Sequence, residues 1–185
     1  MNEVLNTIKT RFACRTYQNK PIEFEKIEAI TTAGLHAPSA FNGQPWHIIA
    51  ISDKTVMDEI NYYVMGLLRD EDDLANHDLI DESNEKPYYN AAAMFLVLKQ
   101  SQKSKWVDTD CGTVVQNMAL TATSLGLGSV IVAMAETAFT GPRADEFKQK
   151  VKWPDGYEFG MGMLAGYVAV AKEPHAIDKN KVTYI

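Results

Sequence analysis

Arg11 and Arg15, in the run Arg11-Phe12-Ala13-Cys14-Arg15-Thr16-Tyr17, stand four residues apart. On a helix or its frayed end, side chains at that spacing project to nearly the same side. Two converging guanidiniums suit a phosphate, which accepts paired, charge-assisted hydrogen bonds from their planar forks. The same spacing also fits a solvated pair bridging to acids. A second polar group lies in Ala37-Pro38-Ser39-Ala40-Phe41-Asn42-Gly43-Gln44-Pro45-Trp46-His47. Pro38 should stop the helix before it, and Pro45 should hold Gln44 extended, because a proline drives the preceding residue out of the α region. From a backbone so fixed, Ser39, Asn42 and Gln44 offer hydroxyl and amide groups to a planar ligand with donors and acceptors on its edge. The alternative is a connecting loop whose polar groups satisfy their own backbone.

Other chemistries find no such grouping. Cys14 and Cys111 are far apart, with no His or Cys at metal spacing, and read as buried small hydrophobes. No paired carboxylate, Ser-His-Asp set or Cys-His pair stands out for catalysis by the protein's own side chains. A formal charge of −6 argues against nucleic acid or an anionic membrane as the main partner. The chain of 185 residues, 46% hydrophobic and 23% charged, fits one soluble domain over residues 1–185. It shows no signal-peptide pattern and no apolar run near the ~20 residues of a membrane span, so the expected address is the cytoplasm.

The positioning elements follow from periodicity. Asn2 can cap a first helix with Val4, Leu5, Ile8 and Phe12 on its apolar face. Pro21-Ile22-Glu23 opens a second helix, with Phe24, Ile27, Ile30 and Gly34 inward. Trp46 to Ile51 reads as a strand buried on both faces, in which His47 is a packing histidine. Ser52 or Asp53 caps a third helix, followed by an acidic stretch to Lys86 that reads as a solvated cover. Ala93 to Leu98 is a strand, and Trp106 to Leu125 is the longest helix, started by Asp108 or Asp110 and ended by Gly126 in a left-handed cap. Val130 to Met134 is a buried strand, and Pro142 starts a short helix through Val151. Gly160-x-Gly162-x-x-Ala165 superficially matches a dinucleotide fingerprint, but it continues into Met163 to Val170 as a strand, so its glycines are expected to allow close packing.

In order and interval, Arg-x-x-x-Arg-x-Tyr, Pro-Ser-x-x-Asn-x-Gln-Pro-Trp-His and Gly126-Leu127-Gly128-Ser129 together resemble the FMN-dependent nitroreductase family, from about Thr7 to the C-terminus. The resemblance implies an α+β fold, a three-layer α/β/α sandwich with a central mixed sheet, and a C-terminal arm extending the partner subunit's sheet. It implies a homodimer with FMN at the subunit interface, Arg11 and Arg15 at the phosphate, and Phe12 and Ala13 also binding the cofactor. Pro38, Ser39, Ala40 and Asn42 would approach from the partner, Gln44 would also bind the cofactor, and backbone at Ile131, Val132 and Ala133 would lie against the flavin ring. Asn84, with Lys86 nearby, would read the pyrimidine edge. Family members commonly place an arginine before the C-terminal arm; this tail has none, and His175, Lys179 and Lys181 are the substitutes on offer. The implied activity is a ping-pong cycle in which NADH or NADPH reduces FMN and a nitroaromatic, quinone or similar small acceptor takes two electrons. A flavin-storing or sensing protein, a flavin-free interaction domain, and a flavoenzyme of the same fold with different chemistry are the competing readings.

Overall fold

Successive residues of β2 (Ala93–Lys99) point to opposite faces of the sheet, and both faces are covered. Ala93, Phe95 and Val97 enter one core, while Met94, Leu96 and Leu98 enter the other, all fully buried. The computed structural model describes residues 2–70 and 88–185. Around β2, the strands β1 (Trp46–Ile51), β4 (Glu158–Gly166) and β3 (Gly128–Val132) form one sheet of order β1-β2-β4-β3. These strands all pair antiparallel; parallel pairing, expected of a mixed sheet, occurs as the bridge Ala13↔Ser129.

The layers on either side complete the expected three-layer sandwich. On one face, α4 (Val107–Ser124) packs across β2, β3 and β4, with α2 (Phe24–Leu35) against it. On the other lie α3 (Lys54–Asp70), α5 (Thr137–Thr140) and α6 (Ala144–Lys150), which bring Ile60, Val64, Phe139 and Phe147 to the second core. The α5 turn was not expected from the sequence. Asp53 caps α3 by accepting from the Thr55 and Val56 amides at 2.8 and 3.3 Å. Gly126, at φ +76, ends α4 in a Schellman motif: its amide donates to the Thr123 carbonyl and that of Leu127 to the Ala122 carbonyl.

Several expectations are corrected. β1 is an edge strand with His47 and Ala50 exposed, and the doubly buried role belongs to β2. His47 packs at the surface against the Tyr157 ring. α1 (Glu3–Thr10) buries no residue in the single chain; Val4, Leu5 and Ile8 are exposed. α2 starts only at Phe24, whose ring is exposed, because Ile22 just before it takes the buried position. Neither Asp108 nor Asp110 caps α4: Ser104 Oγ accepts from the Trp106 amide, Asp108 pairs with Lys99, and Asp110 is used elsewhere. β3 and β4 begin earlier than their apolar runs suggest. At β4, glycines let the strand lie close to its neighbours: a Cβ at Gly160 would come within 2.8 Å of the Val97 carbonyl oxygen.

A small cluster ties the entry of α2 to the end of β4. Tyr167 donates its hydroxyl proton to Glu23 Oε2 (2.6 Å), Lys26 Nζ donates to the Tyr167 oxygen (2.8 Å), and Lys20 Nζ lies 3.7 Å over the ring. The Tyr167 hydrogen bond, helped by the two lysines, holds the Glu23 carboxyl at about 2, below its usual 4.5. Because the folded-state value is depressed, the contribution is complete above 4.5 and is lost as pH falls through about 2. Tyr167→Phe is therefore expected to lower Tm near neutrality, with the gap to wild type closing on acidification from about pH 5 to about pH 2. Thermal melts across that range check it; a gap independent of pH would disprove the linkage.

Candidate functional site

The predicted residues fall into two groups, each built by local chemistry. In the first, α1 ends at Thr10 and Arg11 turns extended (φ −60, ψ 130), so the two arginines lie beyond the helix and not on it. The strand-like bridge of Ala13 with Ser129, in which the Cys14 amide donates to the Ser129 carbonyl at 2.9 Å, lays this stretch against the start of β3. Arg11, Phe12 and Ala13 are half-buried and Arg15 is exposed. The far end of β3 is open: Ile131 and Ala133 are exposed and Val132 is half-buried. An exposed isoleucine on a strand otherwise buried at its start gives an apolar surface on the strand whose first residues bridge the arginine stretch, a combination that suits a ligand with an anionic end and a flat apolar body.

The second group is the loop before β1. Ala40–Asn42 form one 3-10 turn, and Phe41, Asn42 and Gln44 all have positive φ (55, 52 and 43). Gln44 is thus left-handed, against the extended conformation expected before Pro45. Its amide donates to Ser39 Oγ at 3.0 Å, and its side-chain Nε2 donates to Asn42 Oδ1 at 2.9 Å, which holds the turn closed. Ser39 Oγ is an acceptor in that bond, which leaves its own proton for another acceptor. Such backbone conformations cost about 1–3 kcal/mol each and persist where surroundings over-determine them.

Those surroundings are on α4. Asp110 Oδ1 accepts from the Ala40 amide at 3.0 Å, and the Thr113 hydroxyl shares its single proton between the Asp110 carbonyl at 2.7 Å and the Pro38 carbonyl at 3.0 Å. Asp110 is 4% exposed. Both residues were missed from the sequence as site residues, although a carboxylate within the apolar stripe of Val107, Cys111 and Val114 is the signal that could have found one of them.

The two groups do not meet within one chain. β1 and β3 are opposite edges of the sheet, three strand spacings or roughly 14 Å apart. They are also offset along it. Ser129 is opposite Ala165 on β4, whereas Trp46 is opposite Lys99, itself opposite Glu158. Those two β4 positions are about seven residues, or roughly 23 Å, apart. The arginine stretch and the Ser39–Gln44 loop thus occupy opposite corners, farther apart than one mononucleotide reaches.

His175, Lys179 and Lys181 are exposed on the tail, where Asp178 Oδ1 accepts from the Asn180 amide in a short 3-10 turn. Asn84 and Lys86 lie outside the described residues, as does the acidic run from Glu71. Both cysteines are buried; burial raises the Cys14 thiol and pushes Cys111 up to about 11, which leaves neither a nucleophile. A groove of about 620 Å³ lined by Tyr17, Gln18, Lys20, Lys54 and Asn90 contains none of the predicted residues, and its lysines already pair with Glu23 and Asp58. Among the described residues, no His, Cys, Asp and Glu cluster could hold a metal, and no helix is long and apolar enough to cross a membrane.

Comparison with known proteins gives a consistent result. The family model described as "Nitroreductase family" matches residues 8–167. A nitroreductase with bound FMN from Desulfitobacterium hafniense superposes with a TM-score of 0.93 at 34% identity, covering 100% of this chain and 99% of that one. A second, also with bound FMN, from Bacteroides fragilis, superposes with a TM-score of 0.86 at 27% identity over 100% of both chains. An Archaeoglobus fulgidus protein named for NADH dehydrogenase or NAD(P)H nitroreductase activity is 32% identical over 136 residues, 70% of this chain and 67% of its own length.

Proposed function

Because the chain belongs to the nitroreductase family, we propose that it is an FMN-dependent oxidoreductase that works as a homodimer, drawing electrons from NADH or NADPH. The observation that carries the dimeric site is the placement of its two halves at opposite corners of the sheet: a second copy can bring its Ser39–Gln44 loop to the arginine corner of the first. The exposed apolar side chains of α1, Val4, Leu5 and Ile8, and of the tail, Ile177, Val182 and Tyr184, supply surface for that association.

The residues fit FMN. Arg11 and Arg15 would hold its phosphate, with Phe12 and Ala13 placing them through the Ser129 bridge. Ile131, Val132 and Ala133 would form the wall under the flavin ring, and the partner's copies of Ser39, Asn42 and Gln44 would give the ribityl chain and ring edge their hydrogen bonds, with Pro38 and Ala40 closing the pocket. Asn84 is proposed for the pyrimidine edge. His175, Lys179 or Lys181 would supply the remaining cation at the phosphate. The chemistry that FMN supplies when bound is two-electron transfer, from the nicotinamide to a nitroaromatic, quinone or similar small acceptor, in ping-pong order. The protein's part is to hold the phosphate, leave one ring face open and set the hydrogen bonds at the ring edge; no general acid or base among its side chains is required. Donor and acceptor would use the same open face in turn, which gives loose acceptor selectivity.

The test is an anaerobic titration of the FMN-loaded protein with NADH and then NADPH. Flavin absorbance bands are expected to bleach with at least one donor and to return when a quinone is added. Bands that persist with both would instead identify a flavin-storing protein.

A further inference from the structure

We propose that Asp110 and Thr113 are positioning residues for the cofactor: from one face of α4 they clamp the strained Pro38–Gln44 loop in its ligand-binding shape. The inference rests on the FMN reading above. The clamp has two ties, both 3.0 Å: the Ala40 amide to Asp110 Oδ1, and the Thr113 hydroxyl to the Pro38 carbonyl, which shares the hydroxyl proton with the Asp110 carbonyl at 2.7 Å. They bracket Ser39, whose hydroxyl accepts from the Gln44 amide and which the FMN reading assigns to the ligand. Immediately after them come the three left-handed residues, Phe41, Asn42 and Gln44, none of them glycine. A turn of that kind relaxes unless something outside it fixes its ends.

Asp110 is a costly residue to place here for stability alone. Its Oδ2 is buried and has no hydrogen-bond partner among the described residues. A buried carboxyl oxygen left unpaired is unfavourable, and an apolar side chain at such a place is often neutral or better. The Ala40 amide on the other side of the tie is only half-buried, so water can replace Asp110 there if the loop moves. The carboxyl therefore contributes to the position of the loop more than to the persistence of the fold. Through the two-chain site, the clamp in one subunit sets the loop that reaches the partner's cofactor.

The experiment measures FMN affinity of the full-length protein, with the melting temperature of the flavin-free form beside it. Wild type is measured first: failure to bind FMN refutes the functional reading itself. Given wild-type binding, Asp110→Ala is expected to raise the Kd for FMN about tenfold or more, with the flavin-free Tm essentially unchanged. Asp110→Asn keeps an oxygen for the Ala40 amide and should recover most of the affinity. Thr113→Val leaves Asp110 in place, removes the second tie, and should weaken FMN several-fold even if Asp110→Ala cannot be purified. The clamp is overturned by wild-type affinity in Asp110→Ala or in Thr113→Val. It is equally overturned if Asp110→Asn binds as weakly as Asp110→Ala, or if affinity and flavin-free Tm fall together in all three variants.

Discussion

Arg11→Ala is expected to purify colourless, or to lose its FMN on dilution, while remaining folded. Arg11 is half-buried at the exit of α1, and no residue of α1 is buried in the chain's core, so the side chain can be removed without opening a cavity. What is lost is a guanidinium beside the proposed phosphate position. A charge-assisted contact of this kind contributes about 1.5–3 kcal/mol, which corresponds to a Kd for FMN raised by about 10- to 150-fold. Equilibrium dialysis against FMN, with a thermal melt as control, measures the effect. A variant that binds FMN like wild type would remove Arg11 from the phosphate site and, with it, most of the reason for placing the cofactor at this corner.

Gly162→Ala is expected to damage both the fold and the site. A Cβ there would stand 2.7 Å from the Val132 carbonyl oxygen and 2.7 Å from the Ala135 Cβ, and neither is the end of a flexible side chain that could swing away. The relief available is to push β3 and the turn at Met134–Glu136 outward, and that stretch holds the proposed wall of Val132 and Ala133. Overpacking of this kind costs about 2 kcal/mol, or a fall in Tm of roughly 4–8 °C for a chain of this length. FMN affinity should fall with it. Gly66→Ala, where an added Cβ meets nothing within 4 Å in α3, is the matched control and should be neutral or slightly stabilising. Equal melting temperatures for the two variants would show that β3 yields to the extra methyl.

How much of this was legible in the sequence depended on whether a residue's role is set by its neighbours along the chain or across the fold. The strand over Ala93 to Leu98 and the glycine cap at Gly126 are local, and both were readable, whereas the burial of β2 on both faces was not. The rejection of Gly160-x-Gly162 as a nucleotide fingerprint was readable for the same reason: both glycines lie within β4, although that strand ends at Gly166 and not at Val170. Burial of β1 was not, because nothing within Trp46 to Ile51 says whether one neighbour or two will pair with it. The stripe on α1 was read as an apolar face, and in the single chain Val4, Leu5 and Ile8 are exposed; periodicity marks a face as apolar without saying whose surface covers it. Gln44 was read from the proline that follows it, and the hydrogen bonds that close the turn onto Ser39 and Asn42 overrode that preference. Asp110 was read as a helix start because acids favour N-termini, whereas its partner, the Ala40 amide, is seventy positions away. The ordered set of candidate residues was legible as a family pattern, and the resemblance already implied that the loop comes from the partner; which corners of the sheet the two halves occupy needed the strand order.

Mixed dimers distinguish a site built from two chains from one built within a single chain. Arg11→Ala and Asn42→Ala are each expected to bind FMN poorly as homodimers, because every site then contains one lesion. Co-expressed with different tags and purified as the heterodimer, they should regain one FMN per dimer at wild-type affinity: one site collects both lesions and the other collects none. A heterodimer with no site of wild-type affinity, although both parents are impaired, would place the arginine and the loop of the same chain around one cofactor and contradict the two-chain site.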